Sequence, residues 1–351
     1  MYNIYYSQTS QFNDFIRALK TNFKVFVPAT KDSPAKEADY SYKLLSENEP
    51  FIFNPYRLIE PLKVFFSHPK ESVAEYFTPT KDIQNSDKII IFGIKNCDLA
   101  GHKVQDYVFS EGVAVDTSYR VRRENTILVS GDCTDFKQVC HCLAWEILPY
   151  PSEGFDLSLS PLNDGYLVEV GSRKGDELIQ QFKEYFVPAK ETQVAARKAK
   201  RENLVERLRR HLLPQNLVSK DNAQRLVRQG YGLDTWQQFM LTCVECGGCN
   251  FICDTCHCFL LADIKENQKN SKLKLWDSCQ YLNFTKVAGG ANPLKNRTQR
   301  LRNRFLKKFD FFVDNLGMPA CCGCGRCIEV CPGKIDLREV LKDLAKKLSV
   351  K

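Results

Sequence analysis

The sequence predicts an α+β protein, and three observations carry that prediction. Residues 1–185 alternate short apolar runs with turns and helix-like stretches. Residues 186–240 are polar, charged and helix-forming, and residues 241–351 hold two dense cysteine runs. Strand and helix patterns in alternation mark a mixed α/β domain. A long polar stretch marks a helical linker, and cysteines at fixed spacing mark a metal-binding domain. At 351 residues the chain is long enough to bury a sizeable core. Two or three domains are expected rather than one.

Each region has its own signals. DKIIIFGIKNCDLAGHKVQDYVF (87–109) reads as a buried strand, a turn and a helix, and NTILVSGDC (125–133) as a second buried strand. Both end close to a cysteine, at the strand end where open α/β sheets place their sites. FDLSLSPLNDGYLVEVGS (155–172) reads as a hairpin around Asn163-Asp164-Gly165. In the linker, Pro214 breaks the helix, and Gly230 and Gly232 stop it. The tail helix starts at an Asp336 N-cap and carries Leu337, Val340, Leu341, Leu344 and Leu348 on one apolar face.

There are 16 cysteines. The N-terminus, MYNIYYSQTSQFNDF, lacks the basic and apolar regions of a signal peptide. No apolar run reaches the ~20 residues that span a bilayer. The expected location is therefore cytoplasmic, where thiols bind metal rather than pair as disulfides. The net charge is +8, gathered in residues 196–211 and 294–309. These basic runs read as solvated helix faces or docking surfaces, not nucleic-acid contacts.

LTCVECGGCNFICDTCHCF (241–259) holds six cysteines in nineteen positions. Cys253-Asp254-Thr255-Cys256-His257 has the C-x-x-C-H form of a c-type haem site. Cys243, Cys246, Cys249 and Cys253 have the C-x2-C-x2-C-x3-C spacing of an iron–sulfur cluster. The second copy decides between them: Cys321, Cys324, Cys327 and Cys331, followed by Pro332. Two such runs form the two-cluster ferredoxin pattern, in which the fourth cysteine of each run ligates the other cluster. One 4Fe-4S cluster is then expected on Cys243, Cys246, Cys249 and Cys331, the other on Cys321, Cys324, Cys327 and Cys253. Three thiolates at short intervals wrap three corners of a cubane, and Gly247, Gly248, Gly323 and Gly325 allow the tight backbone this needs. A zinc site is the weaker alternative. Asp254 departs from the pattern, which often has proline there.

Eight cysteines remain. Cys97, Cys133, Cys140 and Cys142 supply four thiolates near strand ends, and a third 4Fe-4S cluster is expected on them, with Asp98 a candidate oxygen ligand. Zinc, or burial as small apolar residues, are the alternatives. Cys256, Cys258 and Cys279 lack an evident fourth ligand. They read as core residues behind the clusters, with a further metal site as the alternative. Cys322 reads as a spare beside Cys321. His141 and His257 read as hydrogen-bond donors to sulfur.

LTCVECGGCNFICDTCHCF, KLWDSCQYLNFTKVAGGANP, FGIKNCDLAGHKVQDYVF and CGCGRCIEVCP together resemble a family of iron–sulfur subunits. The family comprises the beta subunit of cytoplasmic NAD(P)-linked nickel–iron hydrogenases (sulfhydrogenases) and the A subunit of anaerobic sulfite reductase. The resemblance runs from about residue 87 to 335. It implies electron transfer between a flavin- and NAD(P)-binding reductase subunit and a terminal catalytic subunit. It also implies metal sites at Cys97-Asp98, at Cys133 to Cys142 and at Trp276 to Cys279. No G-x-G-x-x-G follows a strand and no phosphate-loop motif is present, so no flavin, haem or nucleotide of its own is expected. The two rivals are a substrate-reducing N-terminal domain and a zinc-stabilised nucleic-acid module.

Overall fold

The computed structural model describes residues 4–31, 38–46, 50–76, 87–266 and 269–348. The first part of the chain builds β1 (Ile4–Gln8), α1 (Thr9–Leu19), β2 (Lys24–Lys31), β3 (Asp39–Leu44), β4 (Lys70–Glu75) and β5 (Ile89–Ile94). It continues through α2 (Asn96–Phe109), α3 (Thr117–Glu124), β6 (Thr126–Gly131), β7 (Leu157–Pro161), β8 (Gly165–Val170), α4 (Arg173–Gln181) and β9 (Val187–Pro188).

The main sheet has the order β3-β2-β5-β6-β7-β8-β1-β9. Its centre, β2-β5-β6-β7, is parallel, and its flanks are antiparallel. The strand–turn–helix expected over 87–109 is β5 and α2. The expected hairpin is β7 and β8, closed by Leu162 N–H donating to the Gly165 carbonyl at 2.8 Å. Every residue of β6 is buried, as befits a strand covered on both faces. One face of the sheet packs Phe12, Phe15, Ile16, Ile90, Phe92, Val129, Leu157 and Val168 into a core that contains no cysteine.

The polar stretch folds as α5 (Glu191–Leu212), α6 (Lys220–Gln229) and α7 (Thr235–Met240). Pro214 lies in the single turn after α5, and Gly230–Gly232 form the turn after α6. The last region adds α8 (Gly248–Phe251), β10 (Phe259–Glu266), β11 (Lys269–Trp276) and α9 (Arg297–Leu306). One π-helical turn, Lys307–Phe311, leads into α10 (Phe312–Leu316), followed by α11 (Arg326–Glu329) and α12 (Leu337–Lys347). Asp336 caps α12 by accepting the Arg338 N–H, and Leu337, Val340, Leu341 and Leu344 are buried.

The β10–β11 hairpin was not expected. It forms because β11 finds a partner far away in sequence: β4 adds to it antiparallel, making a second sheet, β10-β11-β4. That pairing ties residues 70–75 to the segment between the two cysteine runs. The α+β class is the one the sequence predicts.

Candidate metal centre

The two cysteine runs share a backbone conformation. In the first, Glu245 and Gly247 have φ of 57° and 72°; in the second, Gly323 and Gly325 have 65° and 74°. These left-handed residues sit at equivalent positions and turn each run into a loop ending in a short helix, α8 or α11. The second loop also lies against the N-terminal region. A Cβ on Gly323 would fall 2.6 Å from the Cys142 backbone, and one on Gly325 2.5 Å from the Val139 side chain. His141 N–H donates to the Gly323 carbonyl at 2.8 Å.

Cys243, Cys246 and Cys249 line one cavity together with Cys331 of the other run, and Cys327 and Arg304 stand at its wall. Backbone N–H groups of Glu245 and Ile335 donate to the Cys243 and Cys331 sulfurs, each at 3.4 Å. Cys253 of the first run faces the second: it is an electrostatic neighbour of Cys321, Cys324 and Cys327 alike. Cys331 thus lies with the first three cysteines of the first run, and Cys253 within electrostatic range of the first three of the second.

Cys97, Cys133, Cys140 and Cys142 line a second cavity, and Cys324 forms part of its wall. Cys97 stands in the first turn of α2, and Cys133 just beyond β6. Burial pushes all four thiols up, Cys133 to about 12. Lys95 lies buried beneath, with Nζ donating to the Asp132 carbonyl at 2.8 Å. Asp98, a candidate ligand on sequence grounds, is committed elsewhere. It accepts the Lys95 N–H at 2.9 Å and pairs with Arg326 at 2.6 Å.

Cys256, Cys258 and Cys279 line a smaller cavity with Asn250, Arg304 and Lys308. Among the described residues no fourth thiol lines that cavity, although Cys253 beside it is hydrogen-bonded to Cys256. Asn250 Nδ2 donates to the Cys279 sulfur at 3.0 Å. Donation from Cys258, helped by Asn250 and Gln280, brings Cys279 down to about 5. Cys322 contacts Cys324 rather than standing idle beside Cys321. Its thiol donates to Cys324 and, with Arg326 and Arg57 behind, brings that residue down to about 6.

Two expectations are corrected. Neither histidine donates to sulfur: Nδ1 of His141 is on the Val139 carbonyl at 2.9 Å, and Nδ1 of His257 on the Thr255 carbonyl at 3.2 Å. The second basic run is a solvated face only in part, with Lys295 and Arg297 exposed. Arg300, Arg304 and Lys308 are all buried, because the face that carries them packs onto carbonyls and sulfurs of the cysteine runs.

Buried cations are what the sequence reading missed. Lys63, Arg304 and Lys308 surround the Cys249–Cys256 segment. Arg304 Nε has no hydrogen-bond partner among the described residues, although Arg304 stands in the wall of the first cavity. A buried donor of this kind calls for an anion. Gathered thiols, inward N–H groups and surplus buried positive charge fit a thiolate-ligated cluster. The only sequence signals were Asp254 in place of proline and the i, i+4 spacing of Arg300, Arg304 and Lys308.

Residues 242–335, which contain both runs, match the 4Fe-4S dicluster domain family. That match spans the cysteine-rich part of the chain. Outside the domain the likeness continues. The chain is 27% identical over 339 residues to the sulfhydrogenase 2 subunit beta of Pyrococcus furiosus, covering 96% of this chain and 97% of that protein. The resemblance read from the motifs is therefore matched along almost the whole length. Among the described residues no helix is long and apolar enough to cross a membrane.

Proposed function

We propose that this chain is the electron-transfer iron–sulfur subunit of a cytoplasmic oxidoreductase complex. It relays electrons between a flavin- and NAD(P)-binding reductase subunit and a terminal catalytic subunit. The observation that carries this reading is two thiol-lined cavities bridged by the second cysteine run. Cys324 of the second run closes the N-terminal cavity, and Cys327 of the same run closes the cavity of Cys243, Cys246, Cys249 and Cys331. The order is then the N-terminal site, the site of Cys321, Cys324, Cys327 and Cys253, and the site of the first run. Bound in these places, 4Fe-4S clusters exchange one electron at a time.

The protein's own part is positioning and electrostatics. Glu245 and Ile335 N–H groups support negative charge on sulfur, and burial of Cys253, Cys321 and Cys324 keeps the middle site from water. The first-run end reaches the surface: Cys246 is exposed, and Leu241 and Val244 beside it are exposed apolar side chains. One partner docks there on this reading, and the other near the N-terminal site.

Iron, acid-labile sulfide and zinc per chain test the proposal on anaerobically purified protein. About twelve irons place clusters at all three sites; about eight restrict them to the dicluster domain. A higher count brings in Cys256, Cys258 and Cys279. Zinc without iron would overturn electron transfer.

One observation favours a second reading, in which the N-terminal region reduces a small acid itself. A cavity of about 500 Å3 abuts Cys133 and is lined by Arg197, Lys200, Arg201 and Arg207. Turnover of sulfite by the isolated chain with a reduced dye would establish it.

A further inference from the structure

Helix α9 and the π-helical turn after it present Arg300, Arg304 and Lys308 four residues apart, with 2%, 6% and 4% of each exposed. Arg300 is neutralised in the ordinary way: it donates to the carbonyls of Gln280, Leu294 and Lys295 and pairs with Glu245. Lys308 is not. Its ammonium has three N–H groups and three acceptors: Cys253 Sγ at 3.3 Å, Thr255 Oγ1 at 2.8 Å and the Ala320 carbonyl at 3.0 Å. Among the described residues it makes no ion pair with a carboxylate. Of its three acceptors only the Cys253 sulfur can carry a charge.

A fully buried ammonium without a counter-ion is costly, so the fold must supply an anion at this place. Cys253 is the residue that faces Cys321, Cys324 and Cys327. We propose that Lys308 is a fixed counter-charge to the 4Fe-4S cluster held by Cys253, Cys321, Cys324 and Cys327, and raises its reduction potential. This rests on the ligand reading above.

The argument is electrostatic. Reduction adds one electron to the cluster; no bond is made or broken and Lys308 keeps its proton. The extra negative charge appears in a water-poor interior, where a positive charge on a ligand sulfur acts strongly. The cluster on Cys243, Cys246, Cys249 and Cys331 has backbone N–H donors on two of its sulfurs, an exposed cysteine and a buried cation of its own, Arg304, in the cavity wall. Lys308 therefore acts mainly on the middle of the relay and holds an electron there until the next carrier accepts it.

An EPR-monitored redox titration of the full-length chain tests this with Lys308→Met, Lys308→Gln and Lys308→Arg. In the Met variant one midpoint falls, shifting electron sharing between the clusters about tenfold, which is ~59 mV for one electron. The other midpoints stay put. Gln keeps a neutral donor to sulfur and falls as well, whereas Arg keeps the charge and restores the wild-type value. Full iron content with unchanged midpoints in the Met or Gln variant would overturn the proposal. So would loss of the cluster from both, because Lys308 would then hold the cluster rather than tune it. Cys253→Ala separates this from the reading beneath. If that variant keeps every cluster signal, the ligand assignment fails, whatever Lys308 does.

Discussion

Arg326 joins three stretches distant in sequence. Its guanidinium pairs with Asp98 at 2.6 Å and Asp254 at 3.2 Å, and its Nε donates to the carbonyls of Leu58 and Ile59 at 2.9 and 3.0 Å. All three charged groups are buried, so removing the cation strands two carboxylates. Arg326→Met is expected to lower stability by about 3–5 kcal/mol, read as a fall in the denaturant midpoint. His102 makes a separate, pH-dependent contribution. Burial lowers its pKa to about 4, and its Nε2 lies 3.1 Å from the Tyr119 hydroxyl. The unfolded chain takes up a proton on this residue near pH ~6.5 and the folded chain only near 4. The contribution is thus complete above the unfolded value and is lost as pH falls through that window. His102→Gln should flatten the decline in stability between those pH values, measured by denaturant unfolding at a series of pH.

Among the elements, the loop of the second cysteine run bears most on function. Gly325 has φ of 74°, and a Cβ there meets Val139. Gly325→Ala is expected to push the 137–142 segment off the dicluster domain and lower the iron content. Gly232→Ala, where a Cβ meets nothing within 4 Å, should leave iron unchanged. Iron per chain in the two purified variants checks both. Elements held by local pattern were legible: β5, α2, β6, the β7–β8 hairpin and α12 each follow their own apolar periodicity and turn residues. The β10–β11 hairpin was not, since lysines interrupt Lys269–Trp276, acids and a lysine end Phe259–Glu266, and β11 is held by β4, almost two hundred residues earlier.

On the scale of the molecule, the two halves depend differently on metal. The core of the main sheet contains no cysteine, whereas the core beneath α6, α9 and α12 includes Cys321, with Cys243 and Cys327 packed against it. Metal binding to such residues is coupled to their folding. Removing iron anaerobically with a chelator should cost amide protection in residues 241–335 while β5 and β6 stay protected, as hydrogen exchange would record. Equal loss in both halves would mean that the sheet cannot stand without the clusters. The +8 net charge also has a meaning only at this scale. Part of it is internal, spent on carbonyls, buried carboxylates and sulfur, so it overstates what a partner protein meets.

The sequence by itself determined the kind of chemistry. Three thiolates at x2-x2 intervals lie within one loop, so three corners of each expected cluster are set by local spacing, and so is their doubling in a second run. The tertiary structure decided the electrostatic setting. Asp98 faces Arg326 instead of a metal, the histidines turn to carbonyls, and Lys308 points at the Cys253 sulfur rather than at water. The pairing of Asp98 with Arg326 and of Lys308 with Cys253 depends on distances between residues 50 to more than 200 positions apart. No periodicity records such distances, because a buried lysine and a solvated one occupy the same helical spacing.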